Sequence, residues 1–459
     1  MDILTIERMN LIKKLFGFDP SKTTVRTEII AGITTFFTMS YILAVNPSLF
    51  SELDMPGGAV FTSTAIAAIV GCLAMAFVGK LPFGLAPGMG LNAFFVYTVC
   101  LGMGYPWQFA LTAVLIEGLI FIVLTLTNVR EAIVNAIPES LRNAIGAGIG
   151  LFIAFIGLQS AGVVTSAASV VEVTNEAGTI VETSVDPGTV VSLGDITSGP
   201  ALLAIIGIVI TGYLYAKRVT GAILIGVLVT MIIGIPMGVT QFQGVVSQPE
   251  SISPIFCQFQ FDQIWSVDML IVVFTFLFID MFDTVGTLVG VCTKAKMVDK
   301  NGNIHRIKHA FMADSIATTV GAMLGTSTTT TYVESASGVA QGGRSGLTAF
   351  VVGMCFVLAL FFSPLFLSIP AAATAPALVI VGLLMMEPVK NIPWDDYSES
   401  LPAFICLITM PLTYSISNGI LLGMIAYVLM NIITGNRNKV SWTMVILAIL
   451  FVLKFIYIK

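Results

Sequence analysis

Apolar residues run along this chain in long blocks rather than in short alternation. From residue 28 to the C-terminus, stretches of about 17–25 mostly apolar residues recur between short polar breaks. As helices, each can cross the ~30 Å hydrocarbon core of a bilayer. The pattern predicts spans near 28–47, 60–79, 85–102, 107–127, 140–161, 200–217, 219–240, 268–291, 309–325, 329–342, 346–363, 371–387, 399–414 and 417–434, with a further apolar stretch at 441–458. Backbone polar groups in lipid must be paired within the segment, so the expected class is an all-α polytopic membrane protein with about fourteen transmembrane segments.

Composition agrees with that class. Of the 459 residues, 56% are hydrophobic and 10% charged, against about 25% charged in an average soluble domain. The first 20 residues hold Arg8, Lys13 and Lys14 among short apolar runs, which reads as an interfacial helix rather than a cleaved signal. The six cysteines are scattered through apolar segments without paired or metal-type spacing, so free buried thiols are expected, with no disulfide framework, metal site or cofactor. A net charge of -5 is small for this length and says nothing about partners; no nucleic-acid partner is expected.

The placement of charge orients the chain. With Arg8, Lys13, Lys14, Lys22 and Arg26 in the cytoplasm, every second connection should be basic. Lys80, Arg130 and Arg142, Lys217 and Arg218, Lys294 through Lys308, Arg344, Lys390, and Arg437 with Lys439 all fall on that side. The longest opposite loop, 162–199, carries Glu172, Glu176, Glu182, Asp186 and Asp195 without a basic residue. The expected location is the plasma membrane, multi-pass, with the N-terminus cytoplasmic. His305 and His309 lie in a basic loop and read as solvated surface.

The chain also echoes itself. Leu111-Thr112-Ala113 and Leu347-Thr348-Ala349 open two apolar segments, and Ile137-Pro138 and Ile369-Pro370 precede two others. Gly221-Ala222-Ile223-Leu224 corresponds to Gly419-Ile420-Leu421-Leu422. A repeat of seven spans is odd-numbered and must be inverted relative to its partner, an arrangement common in secondary transporters.

At matching positions of the two repeats, the third and tenth spans are poor helices. The third contains Pro87 between Ala86 and Gly88, with Gly90 following; the tenth contains the run Thr326-Ser327-Thr328-Thr329-Thr330-Thr331. Non-helical backbone at membrane depth is tolerated only where protein or a wet cavity surrounds it, so these breaks point to a substrate site. Acids within the spans are few: Glu117, Asp280, Asp283, Asp314 and Glu334. Such residues are costly in lipid and mark function. Asp280 and Asp283 share a helix face, and a carboxylate pair without a deep Lys or Arg beside it is suited to exchanging a proton. Glu334 beside Tyr332 offers an acceptor for the N–H edge of a flat heterocycle and an aromatic face for its ring. Asp314 and Glu117 read more readily as helix-to-helix hydrogen bonding and packing.

Four segments carry a family resemblance: Phe36-Phe37-Thr38-Met39-Ser40-Tyr41-Ile42, Ala86 through Phe95, Asp280-Met281-Phe282-Asp283-Thr284-Val285-Gly286-Thr287-Leu288, and Thr331-Tyr332-Val333-Glu334 through Ala349. They resemble the AzgA-type guanine/hypoxanthine/adenine permeases of the nucleobase and cation symporters, whose distant relatives include the uracil permeases. The resemblance implies fourteen segments in two inverted repeats of seven, with a core domain at 28–127 and 268–363 and a gate domain at 128–267 and 364–434. A cytoplasmic segment (1–27) and a C-terminal apolar segment (435–459) would flank them. It further implies substrate contacts at Asn92, Asp280 and Glu334, with aromatic contributions from Tyr332 and Phe94. Proton coupling would use Asp283, Glu334 and Asp280. The implied function is import of a purine nucleobase with protons, in contact with membrane lipids, and a homo-oligomer is compatible with it. The uracil permeases carry Glu and His in span eight, where this chain has Asp280 and no histidine, so their proton path does not transfer.

Two rivals belong to the same fold: an anion transporter or channel, and a nucleobase transporter coupled to sodium. The first wants positive potential at the site, where this chain offers acids. A membrane-embedded enzyme would need a nucleophile, base or metal cluster within the spans, and none is legible.

Overall fold

The structure is a computed structural model, and it describes residues 3–127, 138–166, 169–174, 180–186, 191–294, 297, 306–442, 444–445, 448–449 and 452. Most of the stretch 441–458 lies outside the described residues, as do Arg130 and His305.

Among the described residues, eight helical segments are long and apolar enough to cross a membrane. They are Val25–Leu53, Gly57–Gly79, Trp107–Thr127, Glu139–Ser160, Gly199–Ala216, Gly346–Leu367, Ala371–Asn391 and Ile416–Ile433. Met89–Gly102 and Ala222–Gly234 are shorter apolar helices. The first of the eight is not continuous: the helix Val25–Met39 ends at Ser40 and a second helix, Ile42–Phe50, follows after Tyr41. Thr24 caps the first, its hydroxyl accepting from the Thr27 N–H.

Two sets of helices pack among themselves. In one, Gly346–Ala359 packs on Val25–Met39 and Gly57–Ala74, Ile307–Leu324 packs on Gly57–Ala74 and Trp107–Thr127, and Val267–Lys294 lies against Trp107–Thr127. In the other, Glu139–Ser160 packs on Ala371–Met385 and Tyr397–Leu412, with Gly199–Ala216, Ala222–Gly234 and Ile416–Ile433 around them. The sets meet where Met89–Ala93 and Val267–Lys294 touch Glu139–Ser160.

The expectation of purely α structure needs amending. Among the described residues there are three two-stranded antiparallel pairs: Leu85–Pro87 with Thr329–Thr331, Val164–Thr165 with Ser192–Leu193, and Ser169–Thr174 with Ile180–Asp186. The last two lie within loop 162–199, where β-branched Val and Thr favour extended backbone over helix. The first is the feature that positions the site.

Candidate substrate site

The strands Leu85–Pro87 and Thr329–Thr331 cross inside the helical body, with Ala86 opposite Thr330. The threonine run suits extended backbone, and Pro87, lacking an N–H, sits at the end of its strand. Pairing continues past the strands: the Gly88 N–H donates to the Thr328 carbonyl at 3.0 Å and the Tyr332 N–H to the Gly84 carbonyl at 3.0 Å. Each strand then runs into a half-helix, Met89–Ala93 on one side and Ser335–Ala340 on the other. Backbone that would be orphaned at membrane depth is thus paired across two segments remote in sequence. Gly88 is needed here, since a Cβ at that position would lie 2.6 Å from Thr330 Cγ2 and 3.1 Å from Leu91 Cδ1.

Beside this crossing lies a cavity of ≈ 560 Å³. Its first wall belongs to the crossing and the neighbouring helices, with Tyr41, Gly88, Asp283, Thr331, Tyr332 and Glu334. Its second wall belongs to Glu139–Ser160 and the end of Ala371–Met385, with Asn143, Gly146, Ile149, Val381 and Met385. Glu139, Arg142, Glu387, Lys390 and Asn391 also line it, at helix ends. Lys390 is exposed and pairs with Glu387 at 2.8 Å.

Glu334 is the best-defined polar group on the first wall. It is only 8% exposed, and Tyr41 donates its hydroxyl proton to Glu334 Oε1 at 2.8 Å. The Tyr332 hydroxyl donates to the Pro87 carbonyl at 2.5 Å, which locks that ring against the crossing, and the Tyr41 and Tyr332 ring centroids lie 6.5 Å apart. Asp283 approaches from Val267–Lys294, its Oδ2 3.8 Å from where a Cβ on Gly88 would stand. No Lys or Arg lines this wall among the described residues.

The remaining expected site residues lie behind the cavity. Asp280 is fully buried and accepts a hydrogen bond from the Thr284 hydroxyl at 3.1 Å; the same hydroxyl lies 3.1 Å from Asp314 Oδ2 and 2.7 Å from Thr330 Oγ1. Asn92 is fully buried too and accepts from the Ser327 hydroxyl, while Thr328 donates to Glu117 Oε2 at 2.6 Å. Ser327, Thr328 and Thr330 thus tie the crossing to three different helices through Asn92, Glu117 and Thr284, and these bonds hold the strands in place. Phe94 is 1% exposed and packs edge-on against Phe276 at 4.8 Å. The structure therefore brings Asp283, Tyr332 and Glu334 together on the cavity and sets Asn92, Asp280 and Phe94 in the packing around it. Among the described residues no group of three or more His, Cys, Asp or Glu side chains is arranged to hold a metal ion.

Sequence reasoning missed Tyr41, Thr331 and the whole second wall. Tyr41 had a signal, because it is a tyrosine inside an apolar span and lies in the segment Phe36 to Ile42 that carries the family resemblance. The second wall had a weaker one: Glu139, Arg142, Asn143, Gly146 and Ile149 recur at helical spacing, an arrangement polar enough to face something other than lipid.

A mostly helical body with several apolar spans, a buried strand crossing and an acid-lined cavity between two packed sets of helices define a multi-pass membrane transporter. Residues 26–422 match the Xan_ur_permease profile, described as a permease family, and the chain belongs to that family. It is 46% identical to the guanine/hypoxanthine permease PbuG of Bacillus subtilis over 98% of this chain and 100% of that protein. It is 40% identical to the adenine permease AdeP of Escherichia coli, covering 98% of this chain and 96% of that one. A putative permease of Methanocaldococcus jannaschii is 47% identical over 98% of this chain and 99% of its own length. Among solved structures, the transmembrane domain of the cyanobacterial bicarbonate transporter BicA superposes with a TM-score of 0.61 at 16% identity, over 86% of this chain and 97% of that one. SLC26A9 does so with a TM-score of 0.62 at 11% identity, over 94% and 70%. The structural likeness is one of fold. Family and relatives together mark the chain as a transporter rather than an enzyme.

Proposed function

We propose that this protein imports a purine nucleobase, such as hypoxanthine, guanine or adenine, across the plasma membrane together with a proton. The observation that carries the reading is the Tyr41–Glu334 pair beside Tyr332 and Asp283 in a cavity of ≈ 560 Å³, a size that accommodates one small flat ligand with water. A carboxylate offers several acceptor sites, so Glu334 can hold Tyr41 and still take N–H bonds from the edge of a base. Tyr332, immobilised through its hydroxyl, supplies ring surface beside it. The permeases for guanine, hypoxanthine and adenine to which the chain is so similar support the same substrate class.

Asp283 is the coupling acid in this reading. It shares the cavity with Glu334 on a wall without a described cation, so a proton arriving with the base offsets their mutual repulsion. The division of labour we propose has residues 28–127 and 268–363 as the core and residues 128–267 and 364–434 as the gate, in fourteen segments of two inverted repeats. The packing of the helices into two sets with the cavity between them supports this. With the N-terminus cytoplasmic, the mouth marked by Arg142 and Lys390 lies on the basic, cytoplasmic side, so this is an inward-open state. Uptake of radiolabelled purine into vesicles, with proton and sodium gradients imposed separately, tests the reading. Uptake driven by the proton gradient alone is expected; no purine uptake under either gradient overturns it.

A further inference from the structure

The second wall of the cavity has a polar group that the first wall does not account for. Asn143 lies on the helix Glu139–Ser160 and lines the cavity, yet its Nδ2 is shielded from solvent and has no hydrogen-bond partner. A buried amide donor left unpaired is costly, so such a group calls for a partner that arrives later. The positions around it leave room for one. Gly146, three residues along the same face, has nothing within 4 Å of where its Cβ would stand, and Ile149 closes the strip against Gly90, whose Cβ would lie 2.7 Å from Ile149 Cγ2. A turn of the part-exposed Asn143 amide about its broad χ2 brings that donor to the cavity, beside open space at Gly146 and an apolar floor at Ile149.

The chemistry of the first wall shows what that donor meets. Glu334 is the acceptor for the base, Asp283 carries the coupled proton, and the two tyrosine hydroxyls are already committed, one to Glu334 and one to the Pro87 carbonyl. A flat heterocycle whose N–H edge is taken by Glu334 presents ring nitrogens or an exocyclic oxygen on its other edge, and these accept hydrogen bonds. We propose that Asn143 is a specificity-determining residue on the second wall, donating from its amide to an acceptor atom on the far edge of the base, with Gly146 leaving clearance for the ring. This rests on the proposed nucleobase function and deepens it. Because Asn143 and Glu334 belong to different packed sets, a base bridging them also joins the two walls when it is bound.

Asn143→Ala, Asn143→Gln and Gly146→Val should be compared with the wild type in purine uptake, each checked for its amount in the membrane, with binding to the purified protein followed by thermal shift. The loss of one buried hydrogen bond predicts that Asn143→Ala raises KM roughly tenfold for bases carrying the acceptor. An analogue with that ring nitrogen replaced by C–H, already weak on the wild type, should bind the Ala variant about as well as the parent base does. Asn143→Gln should restore part of the preference, and Gly146→Val should block binding of every base by filling the gap. If Asn143→Ala keeps the wild-type KM, or weakens parent and analogue in the same proportion, the assignment is overturned while the nucleobase reading stands. A wild type that takes up no purine overturns both.

Discussion

Tyr41 and Glu334 stand 293 residues apart in the chain and 2.8 Å apart in the cavity wall, the phenol donating to the carboxylate. The tyrosine sits at the break between two helices of the first span and the acid at the start of the half-helix Ser335–Ala340, so the bond joins two interruptions. In the proposed site, that bond would fix which way the carboxylate points before substrate arrives.

Removing either end of that bond should have graded consequences. Glu334→Gln should abolish purine uptake while leaving the protein in the membrane, because a neutral amide offers fewer and weaker acceptor sites than a carboxylate. Tyr41→Phe keeps the ring and loses one bond to a charged acceptor, which predicts a KM increase of roughly tenfold or more with transport retained. Uptake kinetics normalised to membrane abundance check both. Near wild-type transport by the Gln variant would displace the site.

The crossing itself can be tested through Gly88. A methyl group there meets Thr330 Cγ2 at 2.6 Å, and Thr330 cannot easily yield because its hydroxyl is 2.7 Å from Thr284 Oγ1. Gly88→Ala should therefore cost roughly tenfold or more in uptake, in line with overpacking of about 1–3 kcal/mol. Thr330→Ser keeps the hydroxyl and removes the offending methyl, so the double variant should recover much of the loss. A double variant no better than Gly88→Ala alone would show that the contact is not what limits the site.

Orientation is open to chemical labelling. With Cys257 replaced by Ser, a cysteine at Asp195 in the long acidic loop should react with an impermeant thiol reagent on intact cells, and one at Asn436 should react only after lysis. The reverse pattern would overturn both the cytoplasmic N-terminus and the inward-open reading of the cavity mouth.

What could be read from the sequence divides by range of interaction. Pro87 and the Thr326–Thr331 run announce non-helical backbone from local propensity alone, and the rarity of acids in apolar spans singles out Glu117, Asp280, Asp283, Asp314 and Glu334, of which Asp283 and Glu334 line the cavity. Propensity could not tell that the two interruptions pair with each other, since Ala86 opposite Thr330 is a contact made by the fold. The same limit explains Asn92 and Asp280. Polar residues in broken or acidic spans look alike in sequence whether they face a cavity or brace the strands beside it. Here Ser327 and Thr284 bind them from within the packed interior. The second wall was the least legible, because the apolar helix Glu139–Ser160 shows its cavity face only once Ala371–Met385 covers the adjacent one.

The last expectation concerns coupling. Asp283 and Glu334 occupy one wall without a described Lys or Arg, while Arg142 and Lys390 belong to the opposite helices. A base that binds the ionised form of Glu334 strengthens the repulsion felt by Asp283 unless a proton joins it. Proton and base therefore favour the same occupied state, and by linkage each raises the affinity for the other. Uptake should then increase as external pH falls from about 8 to about 6, a span over which carboxylates in a shared desolvated site can exchange protons. Asp283→Asn imitates the proton-loaded acid at all pH values. It should flatten that pH dependence and lose accumulation against a gradient, yet keep binding and exchange, because the walls that hold the base are intact. Uptake and counterflow of wild type and Asp283→Asn across this pH range, in sodium-free buffer, separate the two effects. A wild type indifferent to pH and dependent on sodium would replace the proton with sodium as the coupled ion, and an Asn variant retaining the wild-type pH profile would move the coupling role away from Asp283.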